Sequence, residues 1–247
     1  MKKKAVEILK WIAFRAPLLD KIGAPRYPYK INPGQLAFLA QAIDDTRRAG
    51  SGGCILEVGV ARGMTSFFLA KHLASTGDSR RLVLLDTFSG FDKGSLDHEV
   101  NHRGKSRGEL TAFRYNSSAI FKKQIRNIGY ENLEVIRDDA TKFDYLSLAP
   151  IDVVLLDIDL YLATKASAQR IWTHLRSHGS ILVDDCLPDS PWDGSLQAYI
   201  ELCEEWGLTP RLVGGKGGVL SKQEQRTLGA GTQNTPLGKE DCAADSG

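Results

Sequence analysis

The residues best suited to chemistry in this sequence are carboxylates that close apolar runs. "DVVLLDIDLY" (152–161) places Asp157 and Asp159 two residues apart behind a run fit for a buried strand. In extended backbone, residues i and i+2 point to the same side, so both acids can face one cavity. "SILVDDC" (180–186) repeats the arrangement with Asp184 and Asp185. Four carboxylates at two strand ends repel one another unless a cation joins them. Magnesium suits such a place, because it prefers oxygen ligands, takes a few carboxylates and keeps exchangeable waters. Asp157, Asp184 and Asp185 can converge on it from strands joined by one right-handed crossover helix. Taken singly, each acid is also an ordinary strand-end cap.

A second set of residues lies in the first strand-to-helix turn, "LEVGVARGMTS" (56–66), with Glu57, Gly59, Ala61 and Gly63. Small residues at 59, 61 and 63 let a ligand approach the backbone closely. The dinucleotide fingerprint G-x-G-x-x-G is broken, since Ala61 replaces its second glycine and Met64 its third. The E-x-G-x-x-x-G turn instead resembles motif I of the class I S-adenosylmethionine (SAM) methyltransferases. Asp86, at the end of the next strand, is placed to accept hydrogen bonds from both ribose hydroxyls of a nucleoside. "RDDA" (137–140) falls where those enzymes hold adenine, with Asp139 facing the amino group. Asp86 is also readable as a strand-end cap, and Asp138 and Asp139 equally as solvated turn acids.

These residues need a sheet to position them. Apolar runs at 54–59, 82–87, 133–138, 152–157 and 180–185 alternate with helical patterns at 63–76, 116–129, 163–177 and 195–206. Uniformly apolar strands between helices predict an α/β fold whose mostly parallel sheet is covered on both faces. "LTPRLVGGKGGVLSK" (208–222) predicts an antiparallel hairpin at the sheet's end. Ahead of the first strand, Asn32, Pro33 and Gln35 form the start of a capped helix. The basic amphipathic pattern of "MKKKAVEILKWIAFRA" predicts another, docked on its own domain, a partner subunit or a membrane surface. The expected organisation is a helical extension over 1–50, a catalytic domain over 51–222 and a flexible tail over 223–247. Within the domain, 88–115 reads as an irregular lid or acceptor-binding loop.

From "LEVGVARGMTS" to "LLDIDLYLATKASAQRIWTHLRSHGSILVDDC", with "LLDTFSGF" (84–91) between, residues 50–190 resemble the metal-dependent sugar O-methyltransferases typified by macrocin O-methyltransferase. The resemblance implies a Rossmann-like class I methyltransferase sheet and magnesium-dependent transfer of methyl from SAM to a sugar hydroxyl. It implies Asp157, Asp184 and Asp185 as metal ligands and Asp159 as general base. Glu57, Gly59, Ala61, Gly63, Thr65, Asp86, Thr87, Asp139, Ala140 and Asp157 would line the cofactor. Ile158, Ala163 and Cys186 depart from the family pattern, which bears on the acceptor pocket. For the acceptor the candidates are Tyr161, His98, His102 and Trp192. The histidines are also alternative bases, and Trp192 is a face for a sugar ring. His102, Arg103, Lys105 and Arg107 form a basic stretch, either solvated or drawing an anionic acceptor. A metal-held vicinal diol is the expected acceptor; a catechol meets the same need, and a non-catalytic SAM-fold protein is the reading from another class.

Composition is that of an ordinary soluble globular protein: 247 residues, 42% hydrophobic, 25% charged. The net charge of +2 gives no reason to expect nucleic acid. The 4 cysteines follow no metal pattern and read as reduced thiols in the cytoplasm. No apolar run approaches the roughly 20 residues that span a bilayer. The helices before residue 50 are expected to pair two chains in a homodimer.

Overall fold

The computed structural model describes residues 27–108 and 117–222, together with Ile8, Leu110 and Phe113. The helix expected before residue 27 and the tail from 223 lie outside the described residues. Two compact units divide the chain, Met1–Lys30 and Ile31–Gly247. In the first, the described Tyr27–Lys30 form no regular element, and the rings of Tyr27 and Tyr29 stand 5.3 Å apart. All else below concerns the second.

Helix α1 (Pro33–Arg48) opens that unit with the expected capping box: Asn32 accepts from the amide of Gly34, and Gln35 accepts from the amide of Asn32. Leu36, Leu39 and Ile43 form its buried stripe. There follow β1 (Cys54–Val58), α2 (Met64–Ser75), β2 (Leu82–Asp86), α3 (Lys93–His102), α4 (Ser118–Ile125), β3 (Leu133–Arg137) and β4 (Ile151–Leu156). Then come α5 (Tyr161–His174), β5 (Leu175–Val183), α6 (Gly194–Trp206), β6 (Leu212–Val213) and β7 (Gly217–Ser221).

Among the described residues, seven strands form one sheet in the order β3-β2-β1-β4-β5-β7-β6. The first five are parallel, and β7 runs antiparallel to both β5 and β6. Every residue of β1 and β4 is buried, which is why these strands read as continuous apolar runs rather than alternating ones. At the amino-terminal side of the sheet, Arg80 pairs with Asp78 and Asp152, and its guanidinium also donates to Thr46 and the carbonyl of Ile43. That buried cluster fastens α1 beneath the strands.

The stretch 88–115 is not wholly irregular, because it contains α3. Asp92 caps α3 by accepting from the amide of Ser95 at 2.9 Å. The helix hides Ser95, Leu96 and Glu99, a polar face that carries little apolar periodicity. A hydrophobicity pattern could not reveal it.

Candidate active site

The chain runs outward from β1 to β3, then returns to place β4 on the other side of β1. Ligands of such sheets bind beyond the carboxyl ends of the strands at this reversal. Register puts the acids there: Leu156 pairs with Val58 on one side and Val183 on the other, so Asp157 and Asp184 each follow a paired residue. The amide of Asp157 donates to Val58 and the amide of Asp184 to Leu156. Gly59 crosses directly over this point with φ +90°, and a Cβ on it would lie 1.7 Å from the Asp157 carbonyl oxygen. The glycine turn and the acids are therefore in contact, and no other residue type fits at 59.

Asp157, Asp184 and Asp185 each offer a carboxylate oxygen, and these oxygens all lie within 4.8 Å of one another. Asp159 is buried beside them, with its carboxyl in hydrogen-bonding reach of Asp185. Asp159 and Asp185 have φ of +64° and +54°, left-handed values unusual outside glycine. Two such residues at one mouth mark a local geometry held by its surroundings. Burial, then the repulsion of Asp184 and the other acids, pushes the Asp157 carboxyl well above the usual range. Burial and Asp185 push Asp159 the same way, and Asp184 is raised by the same two causes.

The sequence leaves these acids without a positive neighbour, and the structure supplies one. Lys216, from the β6–β7 turn, reaches Asp185 Oδ1 at 2.5 Å and Asp184 Oδ2 at 3.0 Å. Burial opposes its charge, yet the two carboxylates hold its ammonium above the usual lysine range. Gln35 Nε2 donates to the remaining Asp184 oxygen at 2.7 Å. Among the described residues one ammonium faces four carboxyl groups, so acidic groups outnumber basic ones at the site. Three clustered oxygen donors with surplus negative charge fit a hard divalent cation such as magnesium.

Around the glycine turn, Glu57 is buried and accepts from Ser66 Oγ at 2.5 Å. Burial raises its pKa to about 8. Ala61, with φ +46°, and Thr65 border the start of α2, and Gly63 has φ +76°. The Asp86 carboxylate is taken up by the turn: Oδ2 accepts from the amides of Val60 and Ala61, and Oδ1 from that of Phe88. Thr87 donates to the Gly90 carbonyl. Asp139 accepts from the amide and hydroxyl of Thr141 and pairs with Lys142; despite partial burial, these contacts hold its carboxyl below the usual range. Ala140 lies against the core. Turn, Asp86 and Asp139 thus follow one another along the carboxyl edge of β1, β2 and β3.

On the other side, Phe91 and Trp192 stand with ring centroids 5.6 Å apart and pack with Leu96, Leu110 and Val100 against Ile158 and Leu160, which flank Asp159. Tyr161 turns its hydroxyl to Glu201 at 2.6 Å, while its ring stacks on His98. Thr164 is buried, 3.4 Å from the Ser195 hydroxyl. His98 also faces His102 at 4.9 Å, and His98 Nδ1 is buried with no hydrogen-bond partner among the described residues. The basic stretch is spoken for: Arg103 pairs with Glu99 and Asp193, Lys105 with Asp193, and Arg107 with Asp97.

Glu99 is a residue that spacing gave no reason to notice. Its side chain is 1% exposed, and Oε1 accepts from the amide of Tyr161 at 2.7 Å. Helix α5 has no side-chain cap of its own, so α3 caps it from a distance. Lys216 and Gln35 appear in sequence only as part of a turn and of a cap, with nothing local to link either to the acids. A lone lysine inside "GGKGG" was the available signal.

The family described as "Methyltransferase domain" matches residues 56–186, more than half of the chain. A Streptomyces olivaceus protein named 8-demethyl-8-(2,3-dimethoxy-alpha-L-rhamnosyl)-tetracenomycin-C 4'-O-methyltransferase is 28% identical over 163 residues. The match covers 62% of this chain and spans 60% of that relative's length. Among solved structures, the O-methyltransferase NovP superposes with a TM-score of 0.64 at 16% identity, covering 76% of this chain and 79% of NovP. The calicheamicin methyltransferase CalS11 gives 0.60 at 18% identity, covering 90% of this chain and 92% of CalS11. At these identities the structural likeness is one of fold.

Proposed function

Because the chain belongs to the methyltransferase domain family, with its four clustered acids inside the matched stretch, we propose that it is a SAM- and magnesium-dependent O-methyltransferase acting on a sugar hydroxyl. The observation that carries this is the meeting of Asp157, Asp184 and Asp185 beside Asp159 at the switch point of the sheet. The sugar follows from the rhamnosyl substrate named for the S. olivaceus relative. The donor set suits an acceptor with two neighbouring hydroxyls, which a sugar diol provides and a catechol provides equally.

SAM supplies an electrophilic methyl group on a sulfonium. A divalent cation at the three carboxylates supplies Lewis acidity and an anchor for neighbouring oxygens. The chain does the rest. The turn Gly59–Gly63 would hold the cofactor, its glycines clearing the Asp157 carbonyl and the Phe121 ring so that the turn can close over the strand ends, with Glu57 beneath it and Asp86 and Asp139 further along the edge. Thr65, Thr87 and Ala140 border the same face. Asp159, raised by burial and by Asp185, is suited to take the proton of the attacking hydroxyl. Phe91 and Trp192 offer an apolar wall for a sugar face and exclude water from the base. The unpartnered His98 nitrogen is a hydrogen-bonding group for the acceptor, with His102 and Tyr161 behind it. Among the described residues no helix is long and apolar enough to cross a membrane. Pairing into dimers is the expected state, which light scattering measures.

The deciding experiment offers labelled SAM to a panel of glycosides, sugar nucleotides and catechols, with magnesium or with chelator, for wild type and Asp184→Asn. Transfer to a sugar that needs both the metal and Asp184 is the expected result. Transfer that survives chelation and Asp184→Asn would refute the metal assignment, and catechol-only transfer would refute the acceptor.

A further inference from the structure

Gln35 lies outside the stretch that carries the acids, 149 residues from Asp184 in sequence, yet it is fully buried against that carboxylate. Its orientation is fixed by chemistry. Oε1 accepts from the Asn32 amide at 2.9 Å, a donor with no other acceptor among the described residues, so the NH2 end is the one that faces Asp184.

Three glycines allow this seat. A Cβ on Gly217 would lie 2.9 Å from both Cγ and Nε2 of Gln35. One on Gly214 would lie 2.9 Å from the Gln35 amide nitrogen, and one on Gly34 would lie 2.8 Å from Gly214 Cα. The first turn of α1 therefore rests on the β6–β7 turn at backbone distance. The same contact brings two donors to Asp184: Gln35 to Oδ1 and Lys216 to Oδ2. Among the described residues, no side chain hydrogen-bonds the Asp157 carboxylate.

We propose that Gln35 is a positioning residue for the cation site. It holds Asp184 in ligating orientation before an ion binds, so affinity for the ion depends on how α1 packs on the β6–β7 turn. Groups that orient metal ligands from behind set affinity strongly, and their loss commonly weakens binding 10–100-fold. This inference rests on the assignment of Asp157, Asp184 and Asp185 as cation ligands.

The test uses the metal-free full chain, without cofactor or acceptor, titrated with Mn2+ while free Mn2+ is read by electron paramagnetic resonance. Gln35→Leu is expected to weaken Mn2+ binding about 10–100-fold. Gly217→Ala, which leaves Gln35 in the chain but crowds its amide, is expected to weaken it in the same direction. Asn32→Ala removes the acceptor for Gly34 and leaves the Asp184 contact, so its Mn2+ affinity should stay within about twofold of wild type. Binding by Gln35→Leu within about twofold of wild type overturns the proposal, as does an equal loss in Asn32→Ala, which would mark a general loosening of α1. Should Gln35→Leu fail to fold, unchanged binding in Gly217→Ala overturns it. Wild-type binding that disappears in Asp184→Asn but persists in Gln35→Leu removes the role of Gln35 alone. No saturable binding in wild type, or full binding in Asp184→Asn, removes the cation site and this inference with it.

Discussion

Glu57 permits a quantitative test of how the glycine turn is built. It sits on β1 at 1% exposure with Ser66 as its hydrogen-bond partner, and burial raises its pKa from 4.5 to about 8. Between those values the native chain keeps a proton that the unfolded chain has lost. Stability therefore falls as pH rises, by about 1.4 kcal/mol per unit while the difference is one proton. Stability is fully present below the unfolded pKa and is lost as pH rises through the folded one. By pH 7 the loss amounts to roughly 3 kcal/mol. Glu57→Gln keeps the shape and a hydrogen bond to Ser66 but cannot ionise. Denaturant unfolding of both metal-free proteins from pH 5 to 8 should show the smallest difference at the acid end, about 1 kcal/mol or less. The gap should then grow in favour of the variant. The shared acids near Lys216 contribute to both curves and largely cancel. A difference that stays flat with pH would mean that Glu57 is already ionised in the fold, refuting the desolvation argument.

If the ammonium group of SAM approaches Glu57, binding of SAM at pH 7 should release about one proton, seen as a calorimetric enthalpy that depends on buffer and loses that dependence in Glu57→Gln. Lys216→Met leaves Asp184, 3% exposed, without its ammonium, so metal-free stability should drop by about 3 kcal/mol and added Mg2+ should raise the variant's melting temperature more than wild type's. Glu99→Ala takes away the acceptor for the Tyr161 amide, which predicts a loss of about 1–3 kcal/mol by denaturant titration and a lower kcat, whereas Glu99→Gln should retain most of both. Gly59→Ala places a methyl inside the Asp157 carbonyl and is expected to yield little folded protein, measured as soluble expression and far-ultraviolet circular dichroism.

Much of this was legible because burial writes itself into strands. The run 152–157 reads as a fully buried strand and is one, β4, and the expected hairpin over 208–222 is present as β6 and β7. The carboxylates were legible for the opposite reason, as charge closing an apolar run. What the sequence hid were contacts across long separations. Gln35 read as a capping residue, which it is, but its other end lies on Asp184. Lys216 looked like part of a glycine turn, and nothing local says that β7 lies beside β5 and brings that turn to the acids. Helix α3 was missed because its buried face is made of Ser95, Leu96 and Glu99, two of which are polar. Polar burial follows partners, and partners are set by topology.

The cap that α3 lends to α5 has a consequence for engineering. If the segment after β2 borders the acceptor as proposed, it is a natural piece to exchange between relatives in order to change selectivity. In this chain that segment also terminates another helix, through Glu99 on the Tyr161 amide, two residues from Asp159. An exchanged segment has to bring its own buried acceptor to that amide. Without one, α5 frays at its first turn, and a graft meant to alter selectivity would instead silence turnover.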